Sequence, residues 1–195
     1  MIKYFYIGVN KMARRPNPIL RKKRKMELIE SIINIINENS ISSTTTRKIA
    51  TEAGLTIASL HYYFGSKDGA MVETAEYILE SWIRETFEKP GDIEDMILEL
   101  FNPPDKMAAF SQIITYPYRS KVTLKNIQKV DDEFNSVIKD ILRARGHDVD
   151  SSFTIADVIK TFLIGLGFKG YVYPEVIKDE VKMVIEFLDL NKERE

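Results

Sequence analysis

The residues best equipped for chemistry lie between Thr45 and Gly69, in the run Thr-Thr-Arg-Lys-Ile-Ala-Thr-Glu-Ala-Gly-Leu-Thr-Ile-Ala-Ser-Leu-His-Tyr-Tyr-Phe-Gly-Ser-Lys-Asp-Gly. Ile49, Ala50, Ala53, Leu55 and Leu60 have the spacing of an inner helical face. That leaves Thr56, Ile57, Ala58, Ser59, His61 and Tyr62 for the outer one. Ala58 and Ser59 are small enough for close approach to base edges. The hydroxyls of Thr56, Ser59 and Tyr62 suit bases or phosphate oxygens. An outward Ile57 is poorly explained by solvation but fits a thymine methyl.

Catalytic chemistry finds little support. The chain has two His and no Cys, and neither H-x-x-x-H nor G-x-S-x-G occurs. A metal cluster, thiol chemistry and a nucleophilic triad are therefore not expected. Asp131-Asp132-Glu133 reads as a solvated helix face, and His147, in a turn beside Gly146, is expected to be exposed. Gly165-Leu-Gly-Phe-Lys-Gly matches G-x-G-x-x-G, but a dinucleotide fingerprint needs a strand before it and a βαβ unit around it. Here the pattern is helical on both sides. Each Gly in a helix costs about 1 kcal/mol relative to Ala, so these glycines predict close approach by another helix. No cofactor or metal is expected, and the chain does not read as an enzyme.

The elements that must position the run are short helices. Thr44 or Thr45 caps one through Ala53, and Gly54 ends it as a residue suited to positive φ. Thr56 caps the next through about Tyr63, with Gly65 closing it. A short helix, a tight turn and a second short helix form the helix-turn-helix arrangement, whose second helix enters the major groove. Before it, Leu28, Ile29, Ile32, Ile33, Ile35 and Ile36 predict a helix reaching Asn39. Residues 1–18 show no apolar periodicity, and Pro16 and Pro18 argue against a helix there. Arg14, Arg15, Arg21, Lys22, Lys23, Arg24 and Lys25 read as a basic arm. Met12 offers a second start, leaving residues 1–11 open as a leader or a misplaced start.

Beyond Ser66, which caps a fourth helix, the remainder also predicts as helical: to about Glu88, then Ile93–Phe101, Asp105–Thr115, Ser120–Ala144, Ser152–Tyr173 and Glu175–Leu190. No clean alternation marks a strand. The expectation is an all-α chain of about nine helices. It divides into an arm (1–18), a helix-turn-helix domain (19–65) and a helical body (66–195).

Charge separates along the same lines. Residues 1–67 carry 12 Lys/Arg against 4 Asp/Glu, a net of +8; residues 68–195 carry 16 against 25, a net of −9. A cationic module joined to an acidic one points to nucleic acid as the partner of the first. Hydrophobic residues at 44% and charged residues at 29% exclude a disordered chain. The apolar stretch from Ile155 to Val172 is interrupted by Asp157, Lys160 and Lys169, so no membrane span is expected. The N-terminal apolar core is too short for a secretory signal. A soluble cytoplasmic protein is the expectation.

On the residues Thr46-Arg-Lys-Ile-Ala-x-Glu-Ala-Gly-Leu and Ser59-Leu-His-Tyr-Tyr-Phe-Gly-Ser-Lys-Asp-Gly, the chain resembles the DNA-binding domain of TetR-family transcriptional regulators. The resemblance covers about 25 residues; the body agrees only in length and helical character. It implies a two-fold homodimer bound to double-stranded DNA at a pseudo-palindromic operator, and a body that binds a small-molecule effector. It also implies that Arg47 contacts DNA and that Ile57, Ala58 and Ser59 meet bases. Tyr62 and Tyr63 would touch the backbone or pack beneath it, and Lys67 would contact phosphate. His61 departs from the commoner Tyr. The last two helices would form the dimer interface, with Phe162, Leu166, Phe168, Val184, Phe187 and Leu188 as candidates. Pocket candidates for a largely apolar effector are Trp82, Met96, Met107, Phe110, Tyr116, Tyr118, Phe134 and Phe153; most such side chains are ordinarily core. The implied function is a ligand-responsive repressor. A regulator without an effector is the alternative, and an all-α enzyme a remoter one.

Overall fold

The computed structural model describes residues 17–147 and 149–188, with the backbone alone for residues 149–154. Helix α1 spans Pro18–Asn39 and starts earlier than the prolines suggested. Asn17 is its N-cap: the side-chain oxygen accepts from the Ile19 and Leu20 amides at 3.0 and 3.3 Å. Pro18 at the first helical position lacks only an N–H that the helix could not use, so it opens the helix instead of blocking it. Arg21–Lys25 consequently lie on α1, not in an arm. Arg14 and Arg15 lie outside the described residues. The buried side of α1 is the predicted one, Leu28 through Ile36.

The two short helices follow their caps. Thr45 accepts from the Lys48 amide at 3.2 Å and begins α2 (Thr46–Glu52). Thr56 accepts from the Ser59 amide at 3.1 Å and begins α3 (Ile57–Phe64). Gly54 and Gly65 take φ of 62° and 73°, values that favour glycine. Ser66 then caps α4 (Lys67–Ile78), which continues through a π-helical stretch (Leu79–Arg84) into a final turn, α5 (Glu85–Phe87). The predicted helix to about Glu88 is thus one continuous rod with a widened middle. It is followed by α6 (Ile93–Leu100), α7 (Asp105–Thr115), α8 (Lys121–Ala144), α9 (Val149–Val172) and α10 (Ile177–Leu188). Counting α4 to α5 as one rod gives nine helices, and no strand occurs among the described residues.

Helix α7 sits at the centre of the body, against α1, α4 and α9, while α8 packs on α9 and α4. Phe110 and Phe134 meet edge to face at 5.3 Å in the core between α7 and α8. Gly167 lies where α9 crosses α7. A Cβ there would stand 2.7 Å from the Met107 carbonyl oxygen and collide with Ser111. The close approach expected from the glycine run is therefore real at Gly167, and again at Gly170, whose Cβ would strike Ile177. Gly165 has nothing within 4 Å. The head, α1 to α3, is tied to the body through α4 and also through α1. There the Asn37 amide donates to the Asp105 carbonyl at 2.9 Å.

Candidate nucleic-acid interface

Burial divides α2 and α3 as their spacing predicts. Ile49, Ala50, Leu60 and Phe64 are buried, and the turn between the helices is closed by the Leu55 amide donating to the Ala50 carbonyl at 2.8 Å. Thr56, Ile57, Ala58, His61 and Tyr62 are exposed, and Ser59 is half-buried. Ile57 is 38% exposed and Tyr62 61%, a degree of apolar display that packing within the chain does not explain.

Several outer groups are already engaged. The Thr56 hydroxyl caps α3 and lies 3.0 Å from the Ser59 hydroxyl, so the two form one polar point at the helix start. The His61 ring nitrogen Nδ1 is 3.0 Å from the Gly65 carbonyl oxygen, fastening the other end. Tyr63 is half-buried and meets Tyr62 edge to face at 5.0 Å. Tyr63 thus supports the exposed phenol from beneath.

Arg47 stands exposed at the second position of α2. Lys67 is half-buried at the start of α4, and its ammonium donates to the Thr44 carbonyl at 3.0 Å. An ammonium has three N–H donors, so this bond holds the α4 N-terminus beside the start of α2 and leaves two for an anion. Gly69 permits the arrangement: a Cβ there would run into the Phe64 carbonyl. Sequence reasoning missed the Lys67–Thr44 tie and the Gly69 contact, both of which depend on how α3 and α4 meet. It also missed that the Arg21 guanidinium lies over the Tyr62 ring, 5.6 Å from its centroid.

Residues 28–73 match the profile of the bacterial regulatory proteins, tetR family. The match covers 46 of the chain's 195 residues, and over that stretch the chain is similar to this family. An HTH-type transcriptional regulator BetI from Brucella canis is 31% identical over 86 residues, which is 44% of this chain and 40% of that protein. The matched region thus spans well under half of the relative. The whole fold is similar to a TetR transcriptional regulator from Rhodococcus sp. RHA1, with TM-score 0.59, 17% identity, and coverage of 88% of this chain and 98% of that one. It is also similar to the regulator FadR from Bacillus subtilis, solved with stearoyl-CoA, with TM-score 0.65, 14% identity, and coverage of 85% and 97%.

The body residues singled out from the sequence are dispersed. Met96, Met107, Phe110 and Phe134 are buried core. Trp82, within the π-helical stretch, is half-buried; its indole donates to the Leu100 carbonyl at 3.2 Å, and the Lys106 ammonium stands 4.2 Å from its ring centroid. Tyr116 is half-buried and meets the buried Tyr118 edge to face at 5.0 Å. The Tyr118 hydroxyl has no hydrogen-bond partner among the described residues. Burial, with smaller contributions from Asp68 and Tyr116, pushes its pKa well above the usual phenol value. The side chain of Phe153 lies outside the described residues. His147 is buried, not exposed as its turn suggested.

Two grooves among the described residues lie elsewhere. One of about 380 Å³ runs between α1 and α4, past Lys22, Met26, Glu73 and Tyr77. Another of about 320 Å³ lies between Arg84, Phe87 and the α8 residues Val137 and Ile141. On α9 and α10, Phe168 and Phe187 are 44% and 84% exposed. Phe162, Val184 and Leu188 are half-buried, whereas Leu166 points into the core of its own subunit. Val158, Val172 and Met183 add to the exposed apolar surface without having been singled out from the sequence. No described helix is long and apolar enough to cross a membrane. Among the described residues, no group of three or more His, Asp or Glu is placed to hold a metal.

Proposed function

We propose that this chain is a DNA-binding transcriptional regulator that acts as a homodimer. The observation that carries the reading is the outer face of α3. Its exposed Ile57 and Ala58 serve no packing purpose among the described residues, Tyr62 stays 61% exposed beside them, and Arg47 and Lys67 stand at the N-termini of the helices on either side. Inserted in a major groove, α3 would offer small and apolar groups to base edges. Arg47 and Lys67, the latter on a helix N-terminus whose free amides favour anions, would address phosphates. Two such heads on a two-fold axis read half-sites about one helical turn or a multiple apart. The exposed faces of α9 and α10, with Phe168 and Phe187, supply the surface for pairing two copies.

The sharper form of the reading is a repressor released by a largely apolar effector. The fold shared with FadR, which in Bacillus subtilis holds stearoyl-CoA, supports a body able to take such a ligand. Ligand binding would act by favouring one spacing of the two heads over another. A regulator without an effector is favoured by a different observation: Met107, Phe110 and Phe134 are each fully buried core side chains. A panel of apolar carboxylates and acyl thioesters separates the two. An effector raises the protein's melting temperature and releases it from DNA.

For DNA reading, the test is binding of full-length variants to the duplex this protein selects. Ser59→Ala should cost about 1–3 kcal/mol on that duplex as a base contact, with little loss on a mixed-sequence duplex, whereas Arg47→Ala should weaken binding to both alike as a phosphate contact. Equal loss on both duplexes for Ser59→Ala would assign it to the backbone instead.

A further inference from the structure

We infer that a notch between the first turns of α1 and the exposed end of α3 seats one phosphate of the DNA backbone, gripped by Arg21 and Arg24. The inference rests on the DNA-binding reading above and extends the contact surface to a helix outside the helix-turn-helix. The notch, of about 150 Å³, is lined by Asn17, Leu20, Arg21, Arg24, Tyr62 and Tyr63. It exists because α1 begins at Pro18: three residues apart on a helix, Arg21 and Arg24 share one side.

The five consecutive basic residues are not equivalent. Lys23 faces Glu27 at 3.9 Å, and Lys25 is paired with Glu73. Lys22 lines the groove toward α4. Among the described residues no carboxylate pairs with Arg21 or Arg24, and both border the notch. Arg21 lies over the Tyr62 ring. A cation–π contact of this kind localises a guanidinium without using up its N–H groups, which stay available to a phosphate. Tyr62 belongs to both the notch and the outer face of α3, so the two surfaces are continuous. A duplex that admits α3 carries its backbone along this flank.

The test is a salt titration of duplex binding by the full-length protein, on the selected duplex and on a mixed-sequence one. The Arg21→Gln/Arg24→Gln variant should lower the slope of log affinity against log salt by about 0.9, the value for one lost phosphate contact, on both duplexes, and each single variant by a part of that. Lys23→Gln, whose ammonium is turned to Glu27, should change the slope by less than half as much. A single neutral methylphosphonate linkage that weakens wild-type binding should have no further effect in the Arg21→Gln/Arg24→Gln variant. If wild type binds and both arginine variants keep its slope, the notch is overturned while the DNA-binding reading stands. If wild type binds neither duplex at low salt, that reading fails and takes the notch with it.

Discussion

At the scale of single residues, the most unusual group is the Tyr118 phenol, buried with no hydrogen-bond partner for its hydroxyl among the described residues and under the charge of Asp68. Burial favours the neutral phenol, so the folded chain keeps this proton above the pH where the unfolded chain loses it. The group's contribution is complete below its ordinary value of 10 and is lost as pH rises beyond that. Tyr118→Phe should therefore leave stability at pH 7 unchanged, or raise it by up to about 1 kcal/mol, because it removes a buried hydroxyl with no hydrogen-bond partner among the described residues. The same variant should hold its melting temperature better than wild type above pH 10, as followed by circular dichroism. A large loss at pH 7 would mean that the hydroxyl has a partner. The outer face of α3 was legible at this scale: the outward set from Thr56 to Tyr62 follows from the inward spacing of Ile49, Ala50 and Leu60. His147 was not, since a turn residue beside glycine gives no sign of the surface that folds over it.

At the scale of elements, caps and stops carried most of the information. Thr45, Thr56, Ser66 and Ser120 each occupy the N-cap for which their side chains are suited, and Gly54 and Gly65 supply the positive φ that ends a short helix. The start of α1 was misjudged because Pro18 was taken as a breaker when its place after Asn17 makes it an opener. The π-helical stretch in α4 leaves no comparable mark, since the extra residue per turn depends on what the rod packs against. The glycine run in α9 shows how tertiary contact divides like residues. Gly165→Ala, open on all sides, should stabilise the subunit by up to about 1 kcal/mol through helix propensity. Gly167→Ala, driven against Met107 and Ser111, should destabilise it by about 1–3 kcal/mol through overpacking. Urea denaturation of the two variants measures both signs in one experiment. Equal shifts would deny that α9 and α7 approach closely at Gly167.

At the scale of the molecule, the charge division and the bare face of α9 and α10 belong to one design. On the proposed reading the cationic head meets a polyanion, and the body carries the exposed Phe168, Met183 and Phe187 that a second copy would cover. Burying a phenylalanine side chain contributes about 1.5–3 kcal/mol, and in a two-fold interface each such residue counts twice. Phe187→Glu should accordingly give a monomer by sedimentation equilibrium, with helical content unchanged. It should bind the palindromic duplex much more weakly while keeping its weak, salt-sensitive attraction to any DNA. A dimer that survives this change would place the pairing surface elsewhere. The dimer was inferred from family resemblance and exposed apolar residues together. Leu166 shows the limit of the sequence, since helical spacing alone does not say which of two apolar sides faces the subunit's own core.

The central claim, that α3 reads sequence on a two-fold DNA site, is tested most directly by letting the purified protein choose among genomic fragments at two salt concentrations and sequencing what it keeps. Recovery of a single pseudo-palindrome, with half-sites about one helical turn or a multiple apart, that persists at the higher salt is the predicted result. Fragments without a common sequence, lost together as salt rises, would contradict it and leave only the electrostatic attraction of a basic surface.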